Sequence, residues 1–109
     1  MAWKQKYNAS DVSSQTLAVT VAASTEGLYL IRFANRSTSA TATVTVWRVP
    51  SGETVGNQHL VEPSTTLAVS GQPGAVLTVR VPCETATKIY VQSSTANVTC
   101  TIDADESAP

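Results

Sequence analysis

Apolar and polar residues alternate along most of this chain, and turn residues interrupt the alternation about every 8 to 12 positions. In the run from Ala40 to Val49, alanine and valine occupy the even positions up to Val46, and threonine or tryptophan the odd positions up to Trp47. A period of two is the side-chain repeat of a β-strand, and no segment shows helical periodicity. The pattern therefore predicts an all-β fold, an antiparallel two-sheet sandwich of jelly-roll or Greek-key type with seven to eight short strands.

Two segments indicate how the strands are arranged. Residues 28–34 are apolar on both faces apart from Arg32, which is typical of a strand in the middle of a sheet or at a subunit contact. The polar segment 35–39 follows, and residues 40–49 come next. We expect the two strands to pair across this five-residue loop as a hairpin.

The length of 109 residues predicts one domain. We place the sandwich at residues 16–102, between an N-terminal arm at 1–15 and an acidic, flexible tail at 103–109. Sixteen threonines and fourteen valines support the β assignment, because both residue types favour pleated sheets.

Charge and hydropathy narrow the classes of partner. A net charge of -1 lacks the basic surface that phosphate binding needs, so nucleic acid is not an expected partner. The N-terminal residues are polar where a signal peptide would be apolar, and no run of about 18 apolar residues could span a bilayer. We expect a protein that is made in the cytoplasm and does not bind a membrane.

The chain offers little for catalysis. Its single histidine, His59, lies in a weakly patterned segment, where we expect it to be solvated, and no acid or nucleophile is tied to it by spacing. We therefore predict no enzymatic activity, no catalytic residues, no cofactor and no metal site. Cys83 and Cys100 are either two buried small residues or, if their strands are adjacent, a disulfide.

A flat, nearly uncharged threonine surface is the unusual feature. Thr41, Thr43 and Thr45 share a face with Trp47, and such a face is either covered by neighbouring subunits or reflects the preference of threonine for sheets. An outward tryptophan suits an interface or a sugar-stacking platform. The aromatic residues that we predict as interface anchors are Trp3, Tyr7, Tyr29, Phe33, Trp47 and Tyr90.

The turn and strand sequences at residues 35–52, with the strand at 88–94 and the start of the last strand at 97–98, carry a resemblance. They contain the segments Asn-Arg-Ser-Thr-Ser, Val-Thr-Val-Trp-Arg-Val-Pro-Ser-Gly and Lys-Ile-Tyr-Val-Gln-Ser-Ser. Over residues 28–102 the chain resembles small β-sandwich virion proteins of tailed bacteriophages.

The resemblance implies a capsid decoration (cement) protein that binds the major capsid protein on the outer surface of the virion and associates with itself as a homotrimer. It brings no catalytic residues. The alternatives are a subunit of the tail or adhesion apparatus, or a carbohydrate-binding module.

Overall fold

Eight β-strands form two antiparallel four-stranded sheets that pack face to face, as the alternation predicts. The computed structural model describes residues 3–108. The elements are β1 (Lys4–Ala9), β2 (Thr16–Thr20), β3 (Glu26–Asn35), β4 (Ala42–Val49), a 3₁₀ turn (Asn57–His59), β5 (Leu60–Leu67), β6 (Val76–Cys83), β7 (Lys88–Ser93) and β8 (Val98–Ser107).

The strand order defines a jelly roll. The first sheet has the order β1-β8-β3-β6 and the second the order β2-β7-β4-β5. Strand β1 therefore pairs with β8, β2 with β7, β3 with β6 and β4 with β5, as if one long hairpin with its tip between β4 and β5 had been rolled up. The eight-stranded sandwich expected from the sequence is confirmed.

The core lies between the two sheets, and along each inner strand every second side chain points into it. Tyr29, Ile31 and Phe33 of β3 are fully buried there, and Val44 and Val46 meet them from the second sheet. As expected for a strand with two apolar faces, β3 is an inner strand, paired with β8 on one side and β6 on the other.

The predicted hairpin between residues 28–34 and 40–49 is wrong, because β3 and β4 lie in different sheets. The connection between them crosses from one sheet to the other, and Asn35 holds it. The buried Asn35 amide donates to the carbonyl oxygens of Ala40 at 2.9 Å and Ala68 at 3.0 Å, while its oxygen accepts from the Ser37 N–H at 3.0 Å. A polar segment thus makes a sheet-to-sheet crossover where a tight turn was expected.

The predicted arm at 1–15 and tail at 103–109 also need correction. Residues 4–9 form β1, and Val12 is buried in the core. Strand β8 continues to Ser107, paired with β1 as far as Ala104 and with β3 to its end. The inward residue in the acidic segment is the small Ala104, flanked by Asp103 and Asp105, so no large apolar side chain marks the alternation there. Met1, Ala2 and Pro109 lie outside the described residues.

A half-buried carboxylate, that of Glu106, fixes the end of β8. The Tyr29 hydroxyl donates to Glu106, and the Lys6 ammonium lies 2.5 Å from the other oxygen of that carboxylate. Burial acts to raise the pKa of Glu106, but the hydrogen bonds from Lys6 and Tyr29 together outweigh it and leave the pKa below its ordinary value. The first and last strands are thereby tied to the centre of the first sheet.

The two cysteines are buried and free. Cys83 pairs with Gly27 of β3, whereas Cys100 pairs with Phe33, on the other side of that strand and six residues further along it. At about 3.3 Å per residue this offset is roughly 20 Å, far beyond the Cα separation of about 7 Å that a disulfide tolerates. Of the two possibilities, the structure supports two buried thiols.

Candidate interaction surface

The outer faces of the two sheets differ in charge. On the first sheet, Asp103, Leu30 and Arg80 form one cross-strand row, and the exposed Arg32 lies in the next. On the central strands β4 and β7 of the second sheet, the outward positions from 43 to 47 and from 88 to 92 carry a single charged residue, Lys88. The centre of the second sheet therefore presents the surface that is cheaper to desolvate.

An apolar row crosses the whole width of this second face. Leu17 of β2 pairs with Tyr90 of β7, Tyr90 pairs with Trp47 of β4, and Trp47 pairs with Leu60 of β5. We call these four residues the apolar row. Its two ends are open, with Leu17 44% and Leu60 39% exposed, and Val61 beside Leu60 is 38% exposed.

A β-bulge puts Leu17 on this face. The alternation with Val19 and Val21 predicts that Leu17 points inward, but the pairing of β2 with β7 shifts register between Leu17 and Val19. Ala18 packs against the core in its place. One extra residue reverses the direction of the side chains that precede it, so the sequence pattern misplaces Leu17.

Trp47 points outward as predicted, yet it is only 9% exposed. It does not belong to the core between the sheets, and neither does Val49, which is fully buried at the next outward position of β4. The 3₁₀ turn of the β4–β5 connection contacts β4. With so small an exposed fraction, Trp47 presents little of its ring surface to a partner.

His59 organises that connection, and its importance was not expected from the sequence. It is buried rather than solvated. Its Nδ1 accepts from the Gly56 N–H at 3.0 Å, so Nε2 carries the proton and donates to Glu53 at 2.9 Å. The sequence signal for this buried pair is a histidine six positions after a glutamate in a short loop. Solvated loops can contain the same spacing, so the signal is not specific.

The rest of the second face is hydroxylated. Beside the apolar row lies a shallow depression of about 240 Å³. It is lined by Thr43, Thr45, Ser64, Gln92, Ser93 and Ser94. Of the predicted threonine face, Thr43 and Thr45 lie within β4 and line this depression, whereas Thr41 precedes the strand.

The six predicted anchors separate into three groups. Tyr29 and Phe33 are fully buried in the core, so they cannot contact a partner; alternation places both on the face of Ile31, which is the core face. Tyr7 is partly buried against the core, and Trp3 is 48% exposed ahead of β1. Only Trp47 and Tyr90 are brought together, as neighbours in the apolar row.

The four edge strands are poorly suited to pairing with another chain. The edge strand β1 carries Lys4 and Lys6, β6 contains Pro82, and β5 contains Pro63 followed by Ser64 at a φ of 21°. Strand β2 is five residues long and bulged. Lysine, proline, bulges and shortness all discourage edge-to-edge pairing, which leaves the faces for association.

Within residues 3–108, no three His, Cys, Asp or Glu side chains lie close enough together to hold a metal ion. No helix in this part of the chain has the length and apolar character to cross a bilayer. Comparison of the chain with family models, with curated proteins and with solved structures found no match.

Proposed function

We propose that the protein is a structural subunit of a larger particle and that it binds neighbours through the apolar row. In line with the resemblance in its strand and turn sequences, the particle is the head of a tailed bacteriophage. The protein acts there as a decoration (cement) protein that self-associates, as a homotrimer, and contacts the major capsid protein.

The observation that carries the proposal is the exposure of Leu17 and Leu60 at the two ends of the uncharged apolar row. The edge strands of the sandwich are poorly suited to pairing, so a partner would contact a face. A face that carries exposed leucines among uncharged hydroxyl residues costs little to desolvate, which favours a protein–protein contact. Jelly rolls occur in viral capsid and lectin domains alike, so the fold adds support only by analogy. Repetition over a lattice lets a modest contact per copy stabilise a shell.

Self-association is tested with Leu17→Ser and Leu60→Ser. Both side chains are exposed, so neither variant should lose much folding stability. Sedimentation equilibrium at concentrations up to about 1 mM, where a contact smaller than a standard interface can still associate, should give an oligomer for the wild type and a monomer for the double variant. Val76→Ser is the matched control, because Val76 is 55% exposed on the outer face of the first sheet. A monomeric wild type, or equal effects of all three substitutions, would contradict the proposal.

The particle role needs a second experiment. Phage heads that co-purify with the protein are stripped of it, then reconstituted with wild type or with the Leu17 and Leu60 double variant, and heated while DNA release is followed. Wild type should restore heat resistance and the double variant should not. Heads that are equally stable with and without the protein would argue against cementing.

A carbohydrate-binding module is the second candidate, because the hydroxyl-lined depression lies beside Tyr90. Covered Trp47 weakens this candidate, since stacking needs an open ring face. A glycan array separates the two functions: specific binding by the wild type that disappears in Thr45→Val, a substitution that removes one hydroxyl of the depression, would favour sugar recognition over assembly.

A further inference from the structure

A second concave feature lies at one end of the sandwich, where β3 begins and β4, β6 and β8 end. This end pocket has a volume of about 510 Å³, within the range of small-ligand sites of about 300 to 1,000 Å³. None of the four residues of the apolar row lines it. Its charged and apolar lining residues are Glu26, Glu84, Asp105, Arg48, Leu28 and Pro82.

The pocket has an excess of negative charge. Three carboxylates and one guanidinium line it, for a formal sum of 1 − 3 = −2. In the part of the chain that the structure describes, none of the three carboxylates takes part in a salt bridge; the two salt bridges there involve Glu106 and Glu53. A cation entering the pocket would therefore meet acids whose charges are not already compensated.

Two polar atoms at this pocket lack partners. Among residues 3–108, the buried side-chain atoms without a hydrogen bond are Arg48 Nε and Asp105 Oδ1, and both residues line the end pocket. Such orphans are rare in folded proteins and commonly mark a missing partner. Rotation of the Asp105 carboxylate about its broad terminal torsion can turn either oxygen toward the pocket. Both atoms are buried, so a ligand in the pocket reaches these two side chains when they turn toward it.

The geometry suits an organic cation better than a metal ion, because the three acids do not cluster closely enough to share one ion. Leu28 and Pro82 supply an apolar wall, against which the methylene groups of a long basic side chain can pack while its charged end reaches the acids. A carbonyl oxygen at the other end of the same residue would accept from the Arg48 guanidinium, which lines the pocket.

We propose that the end pocket binds a lysine or arginine side chain of a partner polypeptide. Its ammonium or guanidinium donates to Asp105 and lies near Glu26 and Glu84. Its backbone carbonyl accepts from Arg48. The site is separate from the apolar row, so it gives the protein a second contact, selective for a basic segment.

The test is a titration of the ¹⁵N-labelled full chain, followed by amide chemical shifts, with N-acetyl-lysine-methylamide and N-acetyl-arginine-methylamide as probes. At least one should give saturable shifts confined to the strand ends around the pocket. N-acetyl-norleucine-methylamide, which lacks the charge, should bind at least about tenfold more weakly. Butylamine, which lacks the peptide carbonyl, should also bind more weakly; equal binding would overturn the assignment of Arg48 and of a polypeptide source.

Asp105→Asn should weaken the binding of the basic probe by about tenfold, whereas Asp103→Asn should leave it within about twofold, because Asp103 lies on the same face of β8 outside the pocket. Glu84→Gln, in an exposed turn, provides a variant that does not risk the fold. The proposal fails if neither basic probe gives saturable shifts, or if the substitutions at 103 and 105 have equal effects.

Discussion

Replacement of Asn35 by alanine should cost this protein a large part of its stability. The side chain is 3% exposed and makes three hydrogen bonds, to the Ala40 and Ala68 carbonyls and from the Ser37 N–H. These link the β3–β4 crossover to the β5–β6 connection. Alanine would remove all three bonds and leave main-chain groups without partners at a site with little access to water.

The magnitude follows from the number of bonds. Each hydrogen bond contributes about 1 kcal/mol net, and a buried group left unpaired costs about 1 to 3 kcal/mol. Since local rearrangement can hydrate some of the freed groups, we expect a loss of about 4 kcal/mol, against a total stability of about 5 to 15 kcal/mol for a domain. At about 4 °C per kcal/mol for a chain of this size, the melting temperature should fall by about 15 °C.

Urea unfolding followed by tryptophan fluorescence, with thermal melts by circular dichroism, measures both quantities. Asn97→Ala is the matched control, because Asn97 is exposed just before β8, and it should lie within about 0.5 kcal/mol of wild type. Asn35→Asp keeps the shape of the side chain but replaces the two donated hydrogen bonds by oxygen facing oxygen, so at neutral pH it should be at least as damaging as alanine. A loss below about 1 kcal/mol for both Asn35 variants would refute the reasoning.

Three further predictions concern strand ends and thiols. Because the pKa of Glu106 is lowered in the folded state, its contribution to stability is present above its ordinary pKa of 4.5 and is lost as the pH falls through the folded value. Glu106→Gln should therefore flatten the fall in stability against urea as the pH drops below 4.5, and an unchanged pH dependence would contradict the lowered pKa. Gly27→Ala would place a methyl group 2.6 Å from a backbone oxygen of β8, so it should clearly lower the melting temperature. An unchanged melting temperature would show that the backbone of β8 moves to make room for the methyl group. Burial raises the pKa of Cys83 to about 11 and of Cys100 to about 12, so iodoacetamide at pH 8 should modify both thiols only at the rate of unfolding; rapid labelling of the native protein would contradict their burial.

Local pattern was sufficient to predict the fold class but not the strand partners. Residues 42–46 of β4 alternate cleanly and lie as predicted, because each strand must bury one face. Nothing local distinguishes a hairpin from a crossover between sheets, since both need a short polar connection. In a jelly roll most partners are distant in sequence, so the pairing of β3 with β6 and β8 is decided by packing of the whole chain.

The interaction surface was predictable in part. Alternation indicated an uncharged threonine face with Trp47 on it, and Tyr90 on an outward face of its strand. The inclusion of Leu17 depends on a bulge, and that of Leu60 on the irregular pairing of β4 with β5, neither of which has a clear sequence signal. The burial of Trp47 and that of His59 are tertiary effects.

The dimensions of the apolar row limit what it can do alone. Four strands at about 4.8 Å spacing make a row about 14 Å long, and its exposed side chains lie mainly at its two ends. A contact of this size is well below the roughly 800 Å² per partner of a standard stable interface, so a single copy held only by the row should dissociate readily. Stable attachment then requires either many copies on a repeating surface or a second contact on the same molecule. The end pocket offers such a contact, and because it shares no residue with the row, both can be occupied at once. A protein that loses particle binding in the Leu17 and Leu60 double variant and weakens in Asp105→Asn would be using the two in combination.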